Sequence, residues 1–154
     1  MRFLSHLHVP AIAGFAGFAL GLAVHSSTAP AVSAPSPPGF QITHVGAVLK
    51  GHLQQYGAGI QGGDLGATAY ADAAVVVLSK VGLHRHDKSD EFIYVLSGSG
   101  TLVAANRKYA VAAGDFFIIP KSTPHALTAT NGKFTLLGFA TPPQADKDMI
   151  MMSN

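Results

Sequence analysis

The chain of 154 residues contains no cysteine. That absence excludes a disulfide framework, a zinc–thiolate cluster, an iron–sulfur site and a lipid-modified N-terminal cysteine, so any metal must be bound through nitrogen and oxygen. Tryptophan is also missing, charged residues make up only 12% of the chain, and glutamate occurs once, as Glu91. The net charge is +2, and Lys50, Lys80, Lys108 and Lys133 are scattered singly. Without a basic patch studded with aromatics, nucleic acid is not an expected partner. No nucleotide-binding motif or Ser-His-Asp arrangement specifies a reaction. The length suits one domain with a real core.

Arg2 and the free amino group precede a run from Val9 to Val24 that carries no charge. A basic start followed by an apolar middle is the layout of an export signal, and the same run would serve as a membrane anchor if left uncleaved. Residues 1–24 are therefore read as signal peptide or anchor, and the Pro/Ser/Ala-rich residues 25–39 as an extended linker. The folded part is expected outside the cytoplasm, periplasmic or secreted, touching a membrane only through an uncleaved N-terminal segment.

Beyond Phe40, apolar runs of four to eight residues alternate with Gly, Pro, Asn and Asp clusters, and no window sustains a helical repeat. The pattern predicts an all-β antiparallel domain over residues 40–143, followed by a tail over 144–154. The predicted strands are Gln41–Leu49, Ala74–Lys80, Leu83–Asp87, Glu91–Ser97, Gly100–Ala105, Lys108–Ala112, Phe116–Pro120, His125–Ala129 and Lys133–Ala140. Breaks are expected at Gly62-Gly63-Asp64, Gly98-Ser99-Gly100 and Gly114-Asp115, with a hairpin at Asn131-Gly132. The unbroken run Phe116 to Ile119 suggests burial on both faces. Tyr94, on the opposite face from Glu91, is assigned to core packing.

His84 and His86 are separated only by Arg85, so on a strand both imidazoles face one side. Glu91 follows a polar turn and opens a return strand, where its carboxylate can meet the two imidazoles across a hairpin. His125 lies far along the chain and could be brought in by closure of the sheet. A His-x-His pair alone is weak evidence, since His6-Leu7-His8 has the same spacing with no site around it. Context separates the two: Glu91 is the chain's single glutamate, and three of the five histidines after Phe40 fall in this one cluster. His44 and His52 are read as ordinary surface or core residues.

These spacings resemble the two motifs of the cupin superfamily. His84-Arg85-His86, four residues, Glu91, six residues and Gly98 match the first motif; Gly114, five residues, Pro120 and then His125 match the second. Leu78, Ser122 and Ala129 stand where the family pattern has Gly, Gly and Asn, which affects turn geometry and no ligand. The resemblance covers residues 74–140. It implies a small double-stranded antiparallel β-barrel of the jelly-roll type, with one divalent transition metal ion held by His84, His86, Glu91 and His125. Imidazole and carboxylate suit Fe, Mn, Ni, Cu or Zn alike.

Four protein ligands leave positions open for exogenous molecules. The expected function is thus a metal-dependent dioxygenase acting on a small organic molecule, with Glu91 as ligand and proton acceptor. The alternatives are an extracytoplasmic module that binds a metal or small ligand without turnover, or a cupin isomerase or decarboxylase. A homodimer paired through sheet edges is compatible with the pattern.

Overall fold

A computed structural model describes residues 39–144 and 148–153. The expected leader over 1–24 and nearly all of the linker over 25–39 lie outside the described residues. Among the described residues no helix is long and apolar enough to cross a membrane.

One helix precedes the strands: α1 spans Val45–Gly51. The eleven strands after it are β1 (Gln54–Gly57), β2 (Ile60–Ala67), β3 (Asp72–Leu78), β4 (Lys80–His86), β5 (Asp90–Ser97), β6 (Ser99–Ala104), β7 (Arg107–Ala112), β8 (Phe116–Ile119), β9 (His125–Ala129), β10 (Phe134–Thr141) and β11 (Met149–Met151). They form a six-stranded sheet in the order β1-β2-β3-β10-β5-β8 and a five-stranded sheet in the order β11-β4-β9-β6-β7, every pairing antiparallel. The ladders do not join into one hydrogen-bonded ring. The two sheets instead share a core, with Leu78, Ile93, Val95 and Phe134 from the first meeting Val81, Leu102 and Leu127 from the second. β3 carries the β-branched run Val75-Val76-Val77, whose stiff side chains pack well on a pleated surface.

Several expectations change. The strand expected over Gln41–Leu49 is largely the helix α1, whose Val45, Val48 and Leu49 fall on one helical face. Val48 is buried against the sheet at Gly63, where any side chain would occupy the same space as the valine. The paired glycines expected to break the chain therefore lie inside β2, where Gly63 lets the helix approach and Gly62 makes room for the Tyr56 ring.

Asn131-Gly132 does not close a hairpin. β9 pairs with β4 and β6 while β10 pairs with β3 and β5, so this turn carries the chain from one sheet to the other. Tyr94, Phe116 and Ile118 point outward and are 38%, 56% and 54% exposed, so neither Tyr94 nor the whole Phe116–Ile119 run is core. Strict alternation on β8 buries Ile119 and turns its neighbour out. The segment assigned to a tail contains β11, which pairs with β4 in the register Met149↔His86 and Met151↔His84.

Candidate metal centre

His84 and His86 sit on β4, and an irregularity in its pairing with β9 falls between Val81 and His84. Such a bulge adds a residue and re-aims the side chains beyond it. Val81 and His84, three positions apart, both end up buried. His84 pairs directly with His125 of β9, and their ring centroids are 4.1 Å apart. The rings of His86 and His125 lie 5.8 Å apart. All three histidines are buried, and each offers a ring nitrogen within 4.8 Å of the others'.

Glu91 comes from the opposite sheet. β4 and β5 are not neighbours in any ladder, so the carboxylate meets the imidazoles across the gap between sheets and not across the hairpin expected from the sequence. Its Oε2 lies 3.0 Å from His125 Nε2 and its Oε1 3.5 Å from His86 Nε2. The structure thus gathers His84, His86, Glu91 and His125 at one point. His44 and His52 flank the two ends of α1 and are not members of the group.

Two tautomers are set by the backbone. His84 Nδ1 donates to the Gly82 carbonyl at 2.8 Å, and His125 Nδ1 donates to the Thr123 carbonyl at 2.9 Å. Each ring then presents the lone pair of Nε2 to the centre. Burial, then the neighbouring His125, lowers the pKa of His84 from 6.5 to about 4, so this imidazole is neutral at pH 7 and able to ligate. Burial alone would raise the pKa of Glu91, but protonation of the histidines that face it, His125 foremost, would outweigh burial and draw the carboxyl below its ordinary value.

In the neutral ring, whose one proton is on Nδ1, His125 instead aims a lone pair at a carboxylate 3.0 Å away. Two acceptors facing each other are mutually repulsive, and a shared cation removes the conflict. The donor set therefore fits a divalent transition metal held by three neutral imidazoles and one carboxylate.

The site opens into a cavity of about 820 Å³ between the sheets. Its floor is apolar, including Ile93, Leu127 and Leu136, while Asp64 and Asp72 line another part of its wall. Two residues of the expected tail also reach the cluster. Gln144 Nε2 lies 3.1 Å from His86 Nδ1 and 3.3 Å from Glu91 Oε1. Asp148, buried to 3% exposure, places Oδ2 at 3.6 Å from His86 Nδ1. No spacing rule links residues 144 and 148 to a His-x-His pair some 60 positions earlier; the only sequence signal is the apolar Met149-Ile150-Met151 that docks beside it.

A two-sheet antiparallel sandwich carries an inward cluster of histidines and a carboxylate at the wall of a cavity, and the three histidines could hold a metal ion. Residues 75–137 match the family model described as "Cupin domain", which supports a cupin-superfamily domain over that part of the chain. An uncharacterized protein of Methanocaldococcus jannaschii is 38% identical over 79 residues, which make up 51% of this chain and 63% of that protein. The match thus spans less than two thirds of that relative.

Among solved structures, KdgF from Halomonas sp. superposes with a TM-score of 0.58 at 23% identity, covering 64% of this chain and 91% of that one. Streptomyces PAC13 with uridine gives a TM-score of 0.61 at 16% identity, covering 74% and 91%. An RmlC-like cupin from Shewanella frigidimarina gives 0.56 at 20% identity, covering 63% and 86%. These likenesses establish the fold.

Proposed function

We propose that this protein is an extracytoplasmic metal-dependent enzyme, in the first instance a dioxygenase, that acts on a small organic molecule bound between its sheets. One observation carries the reading: the cluster of His84, His86, His125 and Glu91 sits at the wall of a cavity of about 820 Å³, inside the usual range for small-molecule sites. A bound transition metal would supply Lewis acidity and a redox couple. The chain's own contribution is to keep the three imidazoles buried, to hold Glu91 ionised as ligand and proton acceptor, and to offer the substrate an apolar floor.

The cavity also supports a second reading, a non-oxidative cupin enzyme or a binding module. Besides Glu91, the carboxylates that line it are Asp64 and Asp72, a sparse set for acid–base chemistry. One structural neighbour is described as a nucleoside dehydratase, so the fold also hosts chemistry that is not dioxygenation. Export through the N-terminal segment and pairing of two copies through open sheet edges belong to the same proposal, read by cell fractionation and by sedimentation over a range of concentrations.

The decisive experiment is elemental analysis of the protein purified without added metal, beside His86→Ala and Glu91→Ala. About one equivalent of transition metal per chain is expected, falling at least about tenfold in both variants while the fold is retained. A folded wild-type protein with no metal above background would end the enzyme reading. Metal-dependent oxygen consumption with catechol-like, flavonol-like or sulfur-containing substrates then separates dioxygenase from non-oxidative enzyme.

A further inference from the structure

His86 differs from its two partners in what holds its ring. His84 and His125 each donate Nδ1–H to a backbone carbonyl two residues earlier, Gly82 and Thr123. His86 has no hydrogen bond to a backbone carbonyl among the described residues. Its Nδ1 faces two side chains from the segment between β10 and β11: Asp148 Oδ2 at 3.6 Å and Gln144 Nε2 at 3.1 Å. These two partners demand opposite tautomers. An amide N–H donating to Nδ1 would leave the ring proton on Nε2, pointing at Glu91, where it blocks ligation. A carboxylate beside Nδ1 draws the proton there and frees Nε2.

Asp148 is built for the second role. Its side chain is 1% exposed. One oxygen, Oδ1, accepts the Lys88 N–H at 3.0 Å, which ties the residue to the turn after β4. The other, Oδ2, has no hydrogen-bond partner among the described residues. A buried carboxylate oxygen left without a donor is costly, and a protonated His86 Nδ1, 3.6 Å away, can supply one. The pairing of β11 with β4 puts Met149 directly opposite His86, which fixes Asp148 next to the ring. Gln144 can meanwhile donate its amide N–H to Glu91 Oε1, at 3.3 Å.

We infer that Asp148 is the positioning residue of the metal centre, selecting the Nδ1-protonated tautomer of His86 as the Gly82 and Thr123 carbonyls do for His84 and His125. The inference rests on the metal reading for its purpose, but the tautomer exists in the metal-free protein and can be read there. It makes the C-terminal segment part of the site. Closing the gap from 3.6 Å to a hydrogen bond needs a shift of about 0.8 Å, since charge-assisted N–H···O bonds run at about 2.8 Å.

The test uses the full-length protein and Asp148→Asn, in which an amide oxygen can still accept from Lys88 while an amide nitrogen replaces Oδ2. Nitrogen-15 NMR of the metal-free protein at pH 7.5, with His86→Gln to assign the ring, is expected to show His86 protonated on Nδ1 in the wild type and on Nε2 in the variant. Chelator competition on the same samples is expected to show metal affinity lower by about 10–100-fold in the variant. An Nε2-protonated His86 in the wild type overturns the inference, even if Asp148→Asn fails to fold. An unchanged tautomer in a folded variant overturns it too. A wild type that binds no metal but has His86 protonated on Nδ1, shifting to Nε2 in Asp148→Asn, would sink the proposed function and leave the role of Asp148 standing.

Discussion

At the scale of single residues, the centre depends on imidazoles that stay neutral. His84 has a folded pKa of about 4 against 6.5 when free, because burial and then His125 disfavour its charged form. Its folded value lies below its unfolded one, so the unfolded chain binds the extra proton between those limits. The penalty is absent above about pH 6.5, grows as the pH falls and levels off near 4. Glu91, held below 4.5, adds a loss in the same direction as the pH falls through its folded value. The metal-free protein is therefore expected to melt at progressively lower temperature from pH 6.5 to 4, and His84→Gln to flatten that profile. Calorimetry in the presence of a chelator measures both, and a flat wild-type profile would show that His84 titrates normally.

Ser122 stands where the family pattern has glycine, and its backbone takes the left-handed conformation that glycine favours, with φ of 62°. Its N–H donates to the His86 carbonyl at 2.6 Å, so this turn helps to seat the histidine strand. A non-glycine residue in this region costs about 1–2 kcal/mol, partly offset because glycine has more freedom to lose on folding. Ser122→Gly is expected to raise stability by about 0.5–1 kcal/mol in urea melts, with metal content unchanged.

At the scale of elements, close approach decides the packing. Gly100 on β6 lies so near the Thr128 carbonyl and the ring of Phe134 that a single added methyl would overlap both. Phe134 is fully buried and the carbonyl belongs to a paired neighbour strand, so neither can move aside cheaply. Gly100→Ala is expected to destabilise the domain by about 1–3 kcal/mol in urea melts, the usual cost of overpacking.

The strands of the second half were readable because alternation and turn residues there report burial directly. β9 begins and ends where the pattern places it, and the other strands from β3 to β10 shift by only a few residues. The first half was not readable, since Gly62 and Gly63 mark a breaker in sequence but in space make room for Tyr56 and for the helix residue Val48. The His-x-His spacing and the lone glutamate pointed to three members of the cluster, and the resemblance to the second cupin motif pointed to His125. Gln144 and Asp148 escaped because a three-residue strand at the sheet edge, β11, delivers them, and three residues carry no periodicity. A period-two count likewise separates the faces of β5 without saying that Tyr94 would face outward.

At the scale of the whole molecule, the proposed function gives the space between the two sheets two purposes, and the purposes can be separated. The end defined by His84, His86, His125 and Glu91 is polar and buried, whereas the wall formed by β10 is smooth because Gly138 sits on it. A Cβ built at Gly138 would meet nothing within 4 Å, so a side chain can start from this position without a clash. Gly138→Leu would project an isobutyl group into the cavity and leave the four clustered side chains untouched. Burying that group adds about 1.5–3 kcal/mol of hydrophobic stabilisation at most. The expected result is a variant with wild-type metal content and equal or higher melting temperature, but with kcat/KM for any substrate lowered by about 10-fold or more, as lost volume excludes the ligand. Unchanged kcat/KM would place the substrate outside the space between the sheets and leave the centre to work on molecules approaching from solvent. A loss of metal together with activity would mean that the cavity and the metal centre cannot be altered independently, and the β10 wall would then count as part of the ion's support.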